Sequence, residues 1–248
     1  MRIDGRKNDE IRQIKINTNY ILNADGSVLI EMGNTRVICT ATIDEKVPPF
    51  IKGTGKGWIT SEYGMLPGST RVRKVRESSR GRPEGRTQEI QRLIGRSLRC
   101  VTNMDLLGER TIWIDCDVIQ ADGGTRTCSV TGGFVALVQC IKSMLDQGHI
   151  EKSPIKNYAA AVSVGIVNDE IMLDLCYEED SLATVDMNLV MNEKNELIEI
   201  QGTGEIMPFT LKDLDTMIEL GQIGIQNIIK YQKDALGDLN CLVGQEEV

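Results

Sequence analysis

An alternating strand, a glycine turn and a long apolar helix follow one another between residues 111 and 147, and this run constrains the fold most. The two faces of the predicted strand, residues 111–119, are Ile112, Ile114, Cys116 and Val118 on one side and Asp115 and Asp117 on the other. Such alternation is typical of a strand with one buried face. Two glycines follow at 123 and 124, and residues 129–147 are mostly apolar, which predicts a core helix. The chain must therefore pack a sheet against that helix.

Strands precede helices in each half of the chain. The first half has a predicted hairpin at 27–41, turning at Gly33-Asn34, and a predicted helix at 87–104. The second half has a predicted hairpin of 159–167 with 171–177, strands at 184–191 and 197–201, and a helix at 211–236. Thr210 and Asp213 resemble a capping box at the start of that helix. This pattern indicates an α+β fold.

The domain organisation follows from the same pattern. No low-complexity linker separates the two halves, so we expect them to share one sheet system. The interpretation is a single domain over residues 1–248, in which 237–248 form a C-terminal tail.

Composition excludes several functional classes. We find no run of eighteen apolar residues and therefore expect no membrane span. Seven scattered cysteines without a Cys-x-x-Cys pair indicate reduced thiols and a cytoplasmic protein. The single histidine, His149, excludes a three-histidine zinc site. We therefore expect carboxylates, arginines and metal ions to carry any chemistry.

Charge is distributed very unevenly along the chain. The net charge of −8 argues on its face against a polyanionic partner. Residues 71–99, however, contain ten basic and three acidic residues, a net charge of +7, so the remainder carries −15. Nine of these ten are arginine, whose planar fork suits phosphate oxygens. This segment predicts a surface for a phosphate backbone.

Within that segment, two groups of arginines differ in strength as signals. Arg92, Arg96 and Arg99 fall on the helix face opposite the apolar stripe, where a solvated face is the simpler interpretation. The preceding loop crowds Arg71, Arg73 and Arg76 with few acids, and such crowding costs energy unless a polyanion relieves it. No aromatic residue lies between 71 and 99, so backbone contact is favoured over base stacking.

A phosphate-sized turn precedes the apolar helix. Gly124, Thr125 and Arg126 combine close backbone approach, a helix N-terminus and a guanidinium fork. A glycine pair before a helix is often merely a turn, so this signal is moderate alone. The other glycine cluster, Gly53-Thr54-Gly55-Lys56-Gly57, lacks the Ser or Thr that a nucleotide P-loop requires.

Two aspartates form the candidate metal site. Asp186 lies in a predicted strand, where aspartate is depleted, and Asp180 lies in the acidic turn before it. If the turn folds back, the pair could hold Mg²⁺, which binds to one or two carboxylates together with substrate phosphates. A solvated acidic turn is the alternative for Glu178 and Glu179.

Together these motifs closely resemble the ribonuclease PH family of phosphate-dependent 3′-exoribonucleases. The resemblance covers about residues 2–236 and rests on Asp4-Gly5-Arg6 with Arg12, Gly55-Lys56-Gly57-Trp58, Arg76-Glu77-Ser78-Ser79, Gly85-Arg86-Thr87, residues 89–96 and 113–126, Tyr177-Glu178-Glu179-Asp180 and Gln201-Gly202-Thr203-Gly204-Glu205. It implies a ribosomal protein S5 domain 2-like α+β fold, the ribonuclease PH fold, assembled as a homohexamer, a trimer of dimers.

The resemblance also implies residue roles. Arg86, Gly124, Thr125 and Arg126 would hold the attacking inorganic phosphate, and Asp180 and Asp186 the Mg²⁺ ion. The arginine loop at 71–76 is similar in character to a tRNA-contacting loop. Related polynucleotide phosphorylases carry Lys where this chain has Asn188, so the metal surroundings differ. The roles of Asp174 and Glu62 stay open.

The implied reaction is attack by phosphate on the last phosphodiester of tRNA precursors, and of other RNA 3′ ends including rRNA, releasing nucleoside 5′-diphosphates. Nucleotide addition from diphosphates is the expected reverse reaction. Two alternatives are weighed beside it. A hydrolytic Mg²⁺ nuclease would not need the arginine phosphate pocket, and a non-catalytic RNA-binding ring subunit would be expected to have lost the acids and arginines.

Overall fold

The structure, a computed structural model, describes residues 2–82 and 84–244. Within these residues, nine strands form two sheets. The first sheet contains β1 (Ile14–Thr18), β2 (Gly26–Met32), β3 (Thr35–Asp44), β4 (Trp58–Met65) and β5 (Thr111–Gln120), in the spatial order β1-β2-β3-β5-β4. Strand β4 is parallel to β5, and the other pairs are antiparallel. A parallel pair needs a crossover, which helix α1 (Gly85–Cys100) supplies.

The other elements follow β5 in the chain. They are α2 (Thr125–Asp146), β6 (Ala159–Val167), β7 (Glu170–Leu173), α3 (Tyr177–Asp180), β8 (Val185–Asn192), β9 (Leu197–Gly204) and α4 (Leu211–Leu236). The second sheet is antiparallel throughout, in the order β7-β6-β8-β9. Helix α4 packs on β6 and starts with the predicted capping box, in which Thr210 and Asp213 bond each other's backbone N–H.

Helix α2 lies between the two sheets. It packs on β2 and β3 of the first sheet and on β6 of the second, which explains why most of its length is apolar. Its length and composition would allow it to cross a membrane, yet 83% of its most apolar window is buried inside the protein, as in a core helix. Buried side chains from both halves of the chain form one continuous hydrophobic cluster around it.

The structure corrects several sequence predictions. The two halves carry separate sheets that share a core, rather than one sheet system. Strands β1 and β4 were not predicted, because β4 lies in a turn-rich stretch and pairs far along the chain. The first helix ends at Cys100 rather than at residue 104, since Thr102 pairs with Ile155 in an isolated bridge. The strand predicted to reach Tyr177 stops at Leu173.

The predicted C-terminal tail packs on the body where the structure describes it. Residues 237–242 form a 3₁₀ helix, and Leu242 is buried in the core. Ser153 Oγ donates to the Leu242 carbonyl at 2.6 Å, and the Gly244 N–H donates to the Ile155 carbonyl. Residues 245–248 lie outside the described part of the chain.

Candidate active site

The turn before α2 is shaped by two glycines with positive φ. Gly123 has φ 73° and Gly124 has φ 62°, and a Cβ at position 123 would lie 2.5 Å from the Leu175 carbonyl oxygen. Helix α2 therefore begins at Thr125, one turn earlier than predicted. The first N–H groups of a helix lack intrahelical partners and carry its positive dipole end. This helix end therefore suits an anion.

Thr125 is held from beneath by Tyr63 of β4. The two hydroxyl oxygens are 2.8 Å apart, and both side chains are buried. Burial raises the pKa of Tyr63, so its phenol stays protonated at neutral pH. Because a phenol is the more acidic of the two hydroxyls, it is the better donor. With Tyr63 as the donor, the Thr125 hydroxyl hydrogen is available to a bound anion.

Arg126 is the next residue of the helix, and its orientation is fixed from two directions. Its Nη1 donates to Gln201 Oε1 of β9 at 3.1 Å and to Glu89 Oε1 of α1 at 3.4 Å. The side chain is 14% exposed. Arg126 therefore joins α2, α1 and β9 at a single point, and its guanidinium is held in place before any ligand arrives.

The two predicted aspartates are brought together as expected. Asp180 ends the short helix α3, and Asp186 lies in β8. Burial and the neighbouring Asp180 charge raise the pKa of Asp186 to about 6. Partial desolvation raises the pKa of Asp180 as well, although the residue stays exposed to solvent. Two carboxylates that disfavour each other's ionisation would gain from a shared cation, so the pair fits a divalent metal ion.

Asn188 orients the second aspartate. Its Nδ2 donates to Asp186 Oδ2 at 3.1 Å, and the register of β8 with β9 places it opposite Gln201. Where related enzymes carry a lysine, this chain therefore supplies a neutral donor. The local positive charge comes instead from the arginines that face the two acids.

Arg86 and Glu205 complete the charges around the pair. Arg86, at the start of α1, and Arg126 both oppose the rise in the pKa of Asp180. Glu205 acts in the other direction on both aspartates. Arg86 is exposed, so its guanidinium is accessible to solution. The predicted phosphate arginines and predicted metal acids thus share one electrostatic environment.

Among the described residues, no group of three or more histidine, cysteine, aspartate or glutamate side chains has a metal-binding arrangement. A site for Mg²⁺ differs, because one or two carboxylates are sufficient when substrate phosphates and water complete the octahedron.

The predicted RNA-binding arginines divide into two groups. Arg71, Arg73 and Arg76 are exposed on the loop between β4 and α1, and Arg92 and Arg96 are exposed on α1. Arg71 forms an ion pair with Glu178 at 2.6 Å, and Arg96 forms one with Glu199 at 3.3 Å. Exposed ion pairs contribute little to stability, so these cations can exchange partners.

Arg99 does not belong with them. Its guanidinium stacks over the Trp58 ring, 4.4 Å from the centroid, and its Nη1 donates to the Ile59 carbonyl at 2.7 Å. Helix spacing alone places Arg99 beside Arg92 and Arg96, but the indole at the start of β4 draws its side chain back onto the protein. Arg99 therefore serves packing.

Sequence reasoning missed three residues of the site as functional groups. Tyr63 lies on the unpredicted strand β4, and its contact with Thr125 depends on the parallel pairing of β4 with β5. Gln201 and Glu205 lie in a motif that carries the family resemblance, but no role was predicted for either. Their positions follow from the register of β9, which no local pattern specifies.

The chain matches known proteins over nearly its whole length. Residues 10–142 match the 3′ exoribonuclease family, domain 1, and residues 157–224 match domain 2 of that family. The chain is 56% identical to the ribonuclease PH of Moorella thermoacetica over 244 residues, 98% of each chain. The chain therefore belongs to the 3′ exoribonuclease family.

Solved structures support the fold. Rice (Oryza sativa) Rrp46 is similar with a TM-score of 0.77 and 20% identity, over 95% of this chain and all of that one. The Archaeoglobus fulgidus exosome with RNA bound to its active site is similar with a TM-score of 0.79 and 20% identity, over 92% and 91% of the two chains. The predicted ribonuclease PH fold is confirmed.

Proposed function

We propose that this chain trims the 3′ ends of tRNA precursors by phosphorolysis, and that it can act on other RNA 3′ ends, including those of rRNA. The observation that carries the proposal is the meeting of an arginine-bearing helix N-terminus with a pair of mutually repelling aspartates. The first suits the attacking phosphate, and the second suits the metal ion.

Inorganic phosphate binds at the start of α2. Gly124 and Thr125 offer backbone N–H groups at the positive end of the helix, and the Thr125 hydroxyl adds a donor. Arg126 and Arg86 supply the charge. Because Gln201 and Glu89 already orient Arg126, the loss of side-chain freedom on binding is small.

Asp180 and Asp186 hold Mg²⁺, and Asn188 orients Asp186. When bound, the ion would supply charge neutralisation at the scissile phosphodiester. The donor set supports this, since both side chains offer hard carboxylate oxygens. Asp180 lies in the electrostatic field of Arg86 and Arg126, and Asp186 lies in that of Arg126.

The reaction needs no histidine base. A phosphate oxygen is already anionic at neutral pH, and it attacks the phosphorus of the last 3′–5′ phosphodiester. The new P–O bond forms as the bond to the preceding 3′ oxygen breaks, and that oxygen takes up a proton. The products are a nucleoside 5′-diphosphate and an RNA one nucleotide shorter. Arg86 and Arg126 act by positioning and charge stabilisation, and the same site performs the reverse addition.

The RNA backbone lies along the exposed arginines. Arg71, Arg73 and Arg76 of the loop and Arg92 and Arg96 of α1 contact phosphates, and Arg99 is left out for the packing reason given above. The protein acts in the cytoplasm as a homohexamer, a trimer of dimers, without a membrane partner. Residues 1–248 act as a single ribonuclease PH domain, supported by one core cluster that spans both sheets.

A direct test supplies a tRNA with extra 3′ nucleotides and Mg²⁺, with and without inorganic phosphate. We expect nucleoside diphosphates in the presence of phosphate and no trimming in its absence. Nucleoside monophosphates in phosphate-free buffer would indicate a hydrolytic nuclease instead. RNA binding without any release of nucleotides would indicate a non-catalytic ring subunit.

A further inference from the structure

Two almost fully buried ion pairs attach the N-terminal segment, residues 2–12, to Asp174, directly after β7, and to Glu179 in α3. Arg12 pairs with Asp174 at 2.6 Å, with 4% and 0% of the side chains exposed. Arg2 pairs with Glu179 at 2.6 Å, with 0% and 3% exposed. Arg12 packs against the predicted phosphate turn at Gly124, and Glu179 directly precedes the predicted metal ligand Asp180 in the chain.

Arg12 supports the phosphate turn. Its Nε and Nη2 both donate to the Asp174 carboxylate, while Nη1 donates to the Asp122 carbonyl at 2.5 Å. The same Nη1 lies 3.5 Å from the Gly123 carbonyl. A Cβ at Gly124 would meet Arg12 Nη2 at 2.8 Å, so the guanidinium packs directly against the turn. One side chain thus fixes the backbone that leads into α2.

Arg2 supports the helix that carries the first metal acid. Its Nε and Nη2 donate to the two oxygens of Glu179, the residue immediately before Asp180, at 2.8 and 2.6 Å. Nη1 and Nη2 also donate to the carbonyls of Leu173 and Asp174, where the chain enters α3. Glu179 Oε2 in turn accepts the Cys176 N–H at the start of α3. A four-residue helix has little stability alone, so these contacts set its position.

Arg6 links the two pairs. Its Nη2 donates to the Asp174 carbonyl at 3.1 Å, and the same guanidinium lies 3.7 Å from Glu179. The turn and the helix are also joined directly, because the Tyr177 N–H donates to Asp122 Oδ1. The two halves of the site therefore rest on one buried framework.

Stability alone does not account for this framework. Removing two charges from water costs about as much as their attraction returns, and apolar side chains could fill the same volume at no loss. Forked arginine–carboxylate pairs instead fix direction, since both partners are planar and bond at two points. Arg12 and Arg2 each form such a two-point pair and also donate to the backbone beside the site, which indicates a positioning role.

We propose that Arg12 and Arg2 are positioning residues for this reaction, Arg12 for the phosphate turn and Arg2 for the helix that carries Asp180. The inference rests on the proposed site. It assigns Asp174 a role as the anchor of Arg12. Loss of the Arg12 fork weakens phosphate binding, and loss of the Arg2 fork weakens metal binding.

The test replaces each of the two arginines with lysine, in the variants Arg12→Lys and Arg2→Lys. Lysine keeps the charge but cannot bond a carboxylate at two points. Loss of an orienting partner behind a ligand typically costs ten- to a hundredfold. For Arg12→Lys we expect the KM for phosphate to rise by about that factor, with a smaller change in kcat. For Arg2→Lys we expect the Mg²⁺ concentration for half-maximal rate to rise similarly, with little change in the KM for phosphate. The Mg²⁺ concentration that gives half of the metal-induced rise in thermal midpoint, measured without RNA or phosphate, should rise by the same factor, and an unchanged value would contradict the role of Arg2.

Arg36→Lys is the matched control, because Arg36 forms an exposed ion pair with Glu31 on the same sheet. The wild-type protein, measured in the same experiment, distinguishes failure of the proposed function from failure of the positioning roles. If it shows no phosphate-dependent activity, the proposed function fails. If it is active and both Lys variants behave like Arg36→Lys, or lose kcat alone in proportion to lost thermal stability, the positioning roles are wrong.

A second measurement applies even if a variant does not fold. Amide hydrogen exchange of wild-type protein, with and without phosphate, reports whether the framework responds to the ligand. We expect phosphate to slow exchange both at residues 122–128 and at residues 10–14. Slowing confined to 122–128 would contradict the coupling through Arg12.

Discussion

Arginine has two opposite roles in the N-terminal segment and in the arginine-rich segment. Between residues 2 and 12, the guanidinium groups are buried or nearly so. The carboxylates of Asp174 and Glu179, more than 160 positions away, neutralise Arg12 and Arg2, and Arg6 also pairs with its neighbour Asp4. Between residues 71 and 96, most arginines are exposed. Burial with a partner turns the same side chain into a structural element, whereas exposure leaves its charge available to a polyanion. Local charge counts therefore locate an RNA surface only where the structure leaves the cations open.

The largest expected effect is on the stability of the fold, through the buried Arg12–Asp174 pair. Asp174→Asn leaves the Arg12 guanidinium buried without a counter-charge, so we expect the free energy of unfolding to fall by about 3–5 kcal/mol. Urea unfolding at pH 7 measures it. Glu178→Gln, which removes the partner of the exposed Arg71, is the control and should leave the unfolding midpoint unchanged. Equal unfolding midpoints for Asp174→Asn and wild type would show that the buried ion pair contributes no more to stability than the exposed one.

The pH dependence of that difference follows from the pKa of Asp174. Burial alone would raise it, but Arg12 lowers the pKa of Asp174 below its ordinary value of 3.8. A carboxylate with a lowered pKa stabilises the fold above its unfolded-state value and loses that contribution as the pH falls through the folded-state value. We expect the wild-type advantage over Asp174→Asn to be constant from pH 5 to 8, about the range above both values. It should shrink only below about pH 4. A gap that narrows near neutral pH would contradict this ion pair.

The next largest effect is on activity and concerns the candidate active site. Arg126→Ala and Asp180→Asn should each slow trimming by about a hundredfold or more, because each removes a charge that acts on the reacting phosphates. Circular dichroism should show both variants folded. Full activity in both would refute the site assignments.

The Asp186→Asn variant distinguishes an effect on activity from an effect on stability at the candidate active site. Burial and Asp180 raise the pKa of Asp186 to about 6, so its charge is disfavoured in the fold. We expect trimming to be lost while the thermal midpoint at pH 7 stays equal or rises. A marked loss of stability would show that Asp186 is held by partners other than Asn188.

The smallest effect concerns the exposed arginines. Arg76→Gln should reduce the slope of log affinity against log salt concentration by about 0.7 for single-stranded RNA, the value for one lost phosphate contact. Arg99→Gln should leave the slope unchanged but lower the thermal midpoint, since its guanidinium stacks on Trp58. Filter binding at several salt concentrations measures both slopes. A reduced slope for Arg99→Gln would return that residue to the RNA surface.

Elements with strong local signals could be predicted from the sequence. The alternation of β5, the glycines at 123 and 124 and the capping box at Thr210 each act within a few residues, and the structure confirms all three. The proposed pairing of Asp180 with Asp186 as metal ligands stays a prediction, although the charge of Asp180 reaches Asp186 across six positions of the chain.

Long-range pairings could not be predicted. Strand β4 owes its place to a parallel partner some fifty residues away, so Tyr63 gave no sign of its contact with Thr125. Arg12 and Asp174 are separated by 162 positions, and the residues around each give no indication that the two form an ion pair. Arg99 shows the converse, since a correct helical spacing did not reveal that its guanidinium stacks on Trp58.

The most direct measurement follows an oxygen isotope from phosphate into product. Trimming of a tRNA precursor is run with ¹⁸O-labelled inorganic phosphate, and the released nucleotides are analysed by mass spectrometry. If phosphate bound at Arg86 and Arg126 is the nucleophile, the nucleoside diphosphates will carry the label in their terminal phosphoryl group. Nucleoside monophosphates without label would show that water attacks instead, and would contradict the account.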